Sequence, residues 1–243
     1  MKGYQENYAA GRPQMYHKGS RLRKGQRVIR VLEDYFGKKK LKNLSVLDIG
    51  SSTGIIDSVL AKSSGRVAGI DIDKGAVSFA GKNYKRKNLS FEVGDSMNLK
   101  FKADTFDVVV CMQVYEHVPS APKLLSEIRR VLKKGGVCYF FAINRLWPWE
   151  PHYNLFFLSW LPKSLANIYL RLTGKGKFYY ETLHSYWGLA RLARKFEIID
   201  YTPKIIMNPK KFLYPAMPKI ASILLALPAK YLSPSFVWLI KKK

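Results

Sequence analysis

Val46-Leu47-Asp48-Ile49-Gly50-Ser51-Ser52-Thr53-Gly54 is an apolar run that ends in an acid and passes into a turn of small residues. Ile55-Ile56-Asp57-Ser58-Val59-Leu60-Ala61 follows directly. The pattern reads as a buried strand, a tight loop and a helix start, which is the opening half of a βαβ unit. Small side chains let a ligand approach the backbone, and the free N–H groups of a first helical turn attract an anion. An ordinary strand-turn-helix without a ligand is the competing reading, because short glycine motifs are weak evidence taken alone.

The strand that follows favours a ligand. Arg66-Val67-Ala68-Gly69-Ile70-Asp71 is a second strand ending in an acid, one helix further on, and Leu89-Ser90-Phe91-Glu92-Val93-Gly94-Asp95 repeats the pattern. Asp71 is suited to accept both hydroxyls of a ribose, and Asp95 the exocyclic amine of adenine, with the Ser96 backbone at the ring edge. A dinucleotide would bring a pyrophosphate, through G-x-G-x-x-G, toward a carboxylate that repels it. S-adenosyl-L-methionine carries an ammonium and a sulfonium beside its carboxylate, and D-x-G-x-x-x-G next to a helix N-terminus suits that zwitterion. Three acids thus meet on the side of the sheet where open α/β folds bind ligands.

Over residues 40 to 143 the chain resembles the class I S-adenosylmethionine-dependent methyltransferases, in the branch that includes ubiquinone and menaquinone biosynthesis enzymes. The resemblance implies that Asp48, Gly50, Ser51 and Gly54 hold the methionine part. It implies too that Asp71 holds the ribose, with Ile72 against the adenine, and that Asp95 and Ser96 meet the base. Met112 and Gln113, after the strand Phe106–Cys111, lie near the methionine moiety, and the residues beyond face the acceptor. The family commonly has Gly where this chain has Ser52, and a serine fits there if its φ is negative. The implied fold is α/β: a doubly wound, mostly parallel seven-stranded sheet, Rossmann-like, with helical insertions after strand 5 and between strands 6 and 7.

A chain of 243 residues with 47% hydrophobic content buries a full core, and a single domain over 1–243 is expected. It divides into a basic N-terminal arm and helix (1–45), a cofactor core (46–143) and insertions at 144–180 and 208–234. Cys111 and Cys138 read as reduced core residues, since both fall in strands. The first residues are polar and basic, unlike a secretory signal, and the longest apolar run, Ile220 to Ala229, is half of the ~20 residues that a span requires. A cytoplasmic protein is expected, at the inner membrane surface if it associates with a membrane.

The net charge of +25 is unevenly spread, at +9 over 1–45, +4 over 46–143 and +12 over 144–243. The basic flanks coincide with the aromatic and aliphatic insertions. Such surfaces suit an anionic membrane or a lipid-linked acceptor, with nucleic acid the less favoured partner and generic solubilising lysines the plainest account. The oligomeric state is not encoded in any readable pattern.

Along the remaining chain, 1–19 reads as a loose arm in which Tyr16 and His17 are lid candidates. Ser20 is expected to cap a helix over Leu22–Phe36, with Val28, Ile29, Leu32 and Phe36 inward and Arg21, Lys24 and the other cations outward. Further helices are expected over Lys74–Lys87, from Ser120 to Gly135-Gly136, and over Thr182–Phe196. Strands are expected at 137–143, 197–201 and, antiparallel, 235–240. Trp147 to Pro162 is dense in aromatics and either walls an apolar acceptor pocket, dips into a bilayer interface or simply caps the core. Ile220–Leu227, flanked by Lys219 and Lys230, reads as an interfacial helix.

Enzymes that methylate base amines carry Asn/Asp-Pro-Pro-aromatic after the fourth strand, and this chain has Cys111-Met112-Gln113-Val114. No Asp/Asn cluster of oxygen ligands for magnesium is visible, so no metal is expected. His117, His152 and His184 are the histidines on acceptor-side segments. His117 and His152 are the candidate bases for a hydroxyl acceptor, although a structural hydrogen-bonding histidine is the common alternative. The expected activity is methyl transfer to oxygen or carbon of a small hydrophobic or lipid-linked acceptor. An RNA methyltransferase and a non-catalytic adenosylmethionine-binding protein are the rivals.

Overall fold

A computed structural model describes residues 7–215, 228 and 231–243. Chain order gives helices α1 (Lys18–Phe36) and α2 (Lys38–Leu41), strand β1 (Ser45–Ile49), α3 (Ile55–Ser63), β2 (Arg66–Asp71), α4 (Lys74–Asn83), β3 (Leu89–Val93) and β4 (Phe106–Met112). There follow α5 (Ala121–Val131), β5 (Leu132–Ile143), the short strands β6 (Trp149–Glu150) and β7 (Leu155–Phe156), α6 (Lys163–Leu172), α7 (Tyr186–Leu192), β8 (Phe196–Asp200), α8 (Thr202–Met207) and β9 (Ser235–Lys242). Seven strands form one sheet in the order β3-β2-β1-β4-β5-β9-β8. β9 runs antiparallel to both of its neighbours, and β1 to β5 pair in parallel. This is the doubly wound sheet that the acid-terminated repeats imply.

The central strands are apolar on both faces because helices cover both. On one face Val46, Val67, Val108 and Val110 pack with Val28 and Leu32 of α1 and Leu60 of α3. On the other Leu47, Val109 and Cys111 pack with Leu124, Leu125 and Ile128 of α5. Gly25 lets α1 approach α3 closely, since a Cβ there would stand 3.0 Å from Val59 Cβ. Cys111 and Cys138 are buried free thiols in adjacent strands.

Several expectations need correction. α1 is capped by His17, whose Nδ1 accepts from the Ser20 N–H, so the helix starts earlier and Ser20 is inside it. Arg21 is buried and Lys24 half-buried, not outward. α4 stops at Asn83. The segment after Val131 is strand: Leu132 pairs with Phe106, and Gly135 (φ 73°) lies within β5 and does not end a helix. The expected helix over Thr182–Phe196 shrinks to α7, capped by Ser185, because His184 is engaged by a bridge to Asn144 and its N–H donates to the Tyr115 hydroxyl. Trp187, on α7, is 58% exposed.

Most of the second insertion, Ile220–Leu227 included, lies outside the described residues. Among the described residues no helix is long and apolar enough to cross a membrane.

Candidate functional site

The C-terminal ends of β1, β2 and β4 open onto a cavity of about 360 Å³, within the usual range for small-molecule pockets. Asp48, Gly50, Asp71, Ile72, Ser96, Met112 and Gln113 all line it. Ser51, Gly54 and Asp95 are not among its lining residues. Ser51 is fully buried, with its N–H on the Ile70 carbonyl, and Gly54 is the left-handed N-cap of α3, so both shape the loop. Asp95 stands between two lining residues, Gly94 and Ser96, and its Oδ1 accepts from the Met97 N–H at 2.7 Å.

The loop geometry explains its glycines. Gly50 has φ 78°, and a Cβ there would stand 2.6 Å from Val114 Cγ2. Gly54 has φ 73°, and its Cβ would meet Ala80 and Phe91 at 2.7 Å. Ser52 corrects the reading of the sequence: its φ is 51°, in the left-handed region and not negative. The strain is offset by its N–H, which donates to Asp71 Oδ2 at 2.7 Å. Asp71 Oδ1 accepts from the Asp73 N–H at 2.9 Å, which fixes the carboxylate and leaves each oxygen a further lone pair.

Electrostatics at this end are dominated by burial. Asp48 is pushed well above the ordinary carboxylate range by burial and then by Asp57 beside it, and Asp57 is raised to about 7 by its own burial. Arg21, from the first turns of α1, is the counter-charge that lowers both. It is 8% exposed, lines the cavity, and its Nε has no hydrogen-bond partner among the described residues. Lys24 Nζ donates to Gln113 Oε1 at 3.2 Å, and Gln113 has φ 56°.

A buried cation beside an acid-and-glycine bend, with a second acid 2.7 Å from the bend's backbone, fits a ligand with a carboxylate, an amine and a ribose. S-adenosyl-L-methionine is such a ligand, and the unpartnered guanidinium nitrogen is the observation that a bound carboxylate answers.

The arm is not loose where it is described. Ala9 N–H donates to Asp73 Oδ2, and Thr53 Oγ1 donates to the Met15 carbonyl, at 2.9 and 2.7 Å. Tyr8, Arg12 and Met15 line the cavity in place of the expected lid pair. Tyr16 packs edge-on to Phe79, and His17 is occupied in capping.

At the opposite end His117 and His152 meet edge-to-face, with ring centroids 5.0 Å apart, and both line the cavity. His152 Nδ1 lies 2.6 Å from Glu150 Oε1 and His117 Nδ1 lies 3.7 Å from Glu181 Oε1. Glu116 completes the group. Burial raises Glu116 to about 7 and lowers His117 to about 3; burial pulls His152 down as well, but the carboxylates of Glu150, Glu116 and Glu181 together raise it. His184 stacks on Tyr115, away from the cavity lining. Arg21, Tyr8, Glu150 and Glu181 are the residues that sequence reasoning missed.

Strand order, the acid-ended strands and the single antiparallel strand define a class I, Rossmann-like methyltransferase fold. Residues 47–140 match the family model described as "Methyltransferase domain". They form a domain of the S-adenosylmethionine-dependent class, whose cofactor is S-adenosyl-L-methionine. A ubiquinone biosynthesis O-methyltransferase of Coxiella burnetii (strain Dugway 5J108-111) is 32% identical over 108 residues, which cover 43% of this chain and 46% of that protein. A ribosomal protein L11 methyltransferase of Dictyoglomus thermophilum (strain ATCC 35947 / DSM 3960 / H-6-12) is 41% identical over 97 residues, covering 40% of this chain and 31% of that protein. The chain thus spans less than half the length of these curated relatives. Among solved structures, a SAM-dependent methyltransferase from Methanosarcina mazei superposes with TM-score 0.56 at 19% identity, over 87% of this chain and 96% of that one.

Proposed function

We propose that this protein transfers a methyl group from S-adenosyl-L-methionine to oxygen or carbon of a small hydrophobic or lipid-linked acceptor at a membrane surface. The observation that carries the reading is one cavity with Asp48, Arg21 and Asp71 at one end and His117 and His152 at the other. The sulfonium supplies an electrophilic methyl on a good leaving group. The chain's own work is alignment and exclusion of water.

In this reading Arg21 binds the carboxylate and Asp48, with the bend at Gly50, faces the amine. Asp71 receives the ribose, Ile72 and Ser96 flank the base, and Met112 and Gln113 wall the methionine part. His117 and His152 wall the space left for the acceptor. Tyr8 and Arg12, from the arm, close the space above them.

The membrane component is supported by exposed rings on the first insertion. Trp149, Phe156, Phe157 and Trp160 form a chain with centroid separations of 4.7, 6.0 and 4.8 Å, and each is between 37% and 55% exposed. Aromatic rings beside a basic surface suit the headgroup region of an anionic bilayer. The name of the Coxiella burnetii relative points to a quinone-type acceptor.

Purified protein incubated with methyl-labelled cofactor and separate lipid, quinol and RNA fractions is expected to label the lipid or quinol fraction. Label in RNA alone refutes the reading. Cofactor binding without label in any fraction favours the non-catalytic alternative.

A further inference from the structure

We propose that Glu116, His117 and His152 hold one first-row divalent cation, zinc-like in preference, at the acceptor end of the cavity. One ligand atom from each of the three lies within 4.8 Å of the others. Ligands about 2.0–2.2 Å from a tetrahedral ion stand roughly 3.4 Å apart, so small side-chain adjustments close the site.

Glu116 is 1% exposed, and no other side chain or backbone group among the described residues donates a hydrogen bond to either of its carboxylate oxygens. A buried carboxylate without donors is costly, and a metal is one of the few ligands that answers it. Its neighbourhood sharpens the point. Glu150 and Glu181 are equally buried, so three carboxylates surround two imidazoles. The segment 144–243 holds only four acidic residues in all, and two of them are spent here.

The histidines are arranged as metal ligands usually are. Glu150 engages His152 through Nδ1 at 2.6 Å, and Glu181 lies nearest His117 at Nδ1, 3.7 Å away. This turns the Nε2 atom of His152 to the ligand position, in the carboxylate–histidine–metal pattern that fixes tautomer and ring orientation. Two imidazoles and a carboxylate favour zinc, cobalt or iron over magnesium. The ion would stand at the cavity wall, with its remaining coordination position toward the acceptor. A hydroxyl bound there becomes more acidic. That role rests on the methyl-transfer reading; the binding of the ion does not.

The test is titration of the chelator-treated chain with cobalt(II) and no other ligand, followed by visible ligand-field absorption. One equivalent is expected to bind and to be displaced by zinc. Glu116→Gln and His152→Ala should abolish the band while circular dichroism stays native, and Glu150→Gln should weaken binding about 10- to 100-fold. Should those variants fail to fold, the unaltered chain still decides. It has four histidines, and cobalt should shift the ring resonances of His117 and His152 most and those of His17 least. Absence of a saturable band, or a band that survives in both variants, or shifts centred on His17, overturns the proposal. Binding of the demethylated cofactor product, measured by calorimetry without metal, separately tests the reading of the cofactor end.

Discussion

Gly50→Ala tests the bend on which the cofactor end depends. Two costs add. An alanine held at φ 78° sits in the left-handed region, which costs about 1–2 kcal/mol. Its Cβ would also stand 2.6 Å from Val114 Cγ2, where ordinary contact begins at 3.4 Å, so some 0.8 Å must be found. Overpacking of that kind costs about 1–3 kcal/mol. The total of about 2–5 kcal/mol corresponds, for a chain of this size, to a Tm lower by roughly 4–20 °C. Val114 lines the cavity, so the displaced side chain also intrudes on the ligand. Calorimetric unfolding and titration with the demethylated cofactor product measure the two effects. A double-mutant cycle with Val114→Ala separates them, because the smaller side chain relieves the clash and leaves the backbone cost. The reasoning fails if Gly50→Ala melts within about 2 °C of the parent and binds the product equally well.

Other predictions follow from single residues. Ser52→Gly removes a left-handed serine and should be neutral to about 1 kcal/mol stabilising in urea unfolding; a clear loss would show that the Ser52 side chain has work to do. Arg21→Gln should weaken cofactor binding about 10- to 100-fold, the worth of a charge-assisted hydrogen bond, and equal affinity would remove Arg21 from the site. Asp34, although partial burial pulls the other way, is held at about 2 by hydrogen bonds from Lys204, Lys211 and Tyr201. A depressed carboxyl stabilises above its unfolded value near 4, and that contribution is lost as pH falls toward 2. Asp34→Asn should therefore cost about 1–2 kcal/mol at neutral pH, less near pH 2, as read by pH-dependent unfolding. Phe157→Ser with Trp160→Ser should abolish flotation with anionic vesicles, and unchanged flotation would locate membrane contact elsewhere.

The sheet is legible because its central strands are continuous apolar runs, two of them carrying an acid at the end, as in Val46–Asp48 and Val67–Asp71, a signal carried by neighbours in sequence. For the same reason Asp48 and Asp71, singled out by that pattern, lie together on one cavity. What escaped depends on partners far along the chain. The arm has no periodicity, and its order comes from Asp73 and Thr53, 64 and 38 residues away from Ala9 and Met15. Arg21 reads as outward in the sequence because charge on a helix usually meets water, whereas this face of α1 turns to buried carboxylates. Glu150 and Glu181 are isolated acids in basic segments, and only folding brings them to His152 and His117. Leu132-Lys133-Lys134 continues an apparent helix pattern, yet pairing of Leu132 with Phe106 draws it into the sheet.

The fastening of the arm has a consequence for traffic. Three hydrogen bonds tether the stretch between Ala9 and Met15 to the domain: those to Asp73 and from Thr53, each worth about 1 kcal/mol net, and a weaker one from Arg21 Nη1 to the Met15 sulfur. A hatch held by so few polar links would lift far more readily than the seven strands part, and a nucleoside-sized guest would then be exchanged by movement of the arm over an unmoving floor. Turnover would then be paced by the hinge before α1, leaving the carboxylates beneath it undisturbed from one cycle to the next.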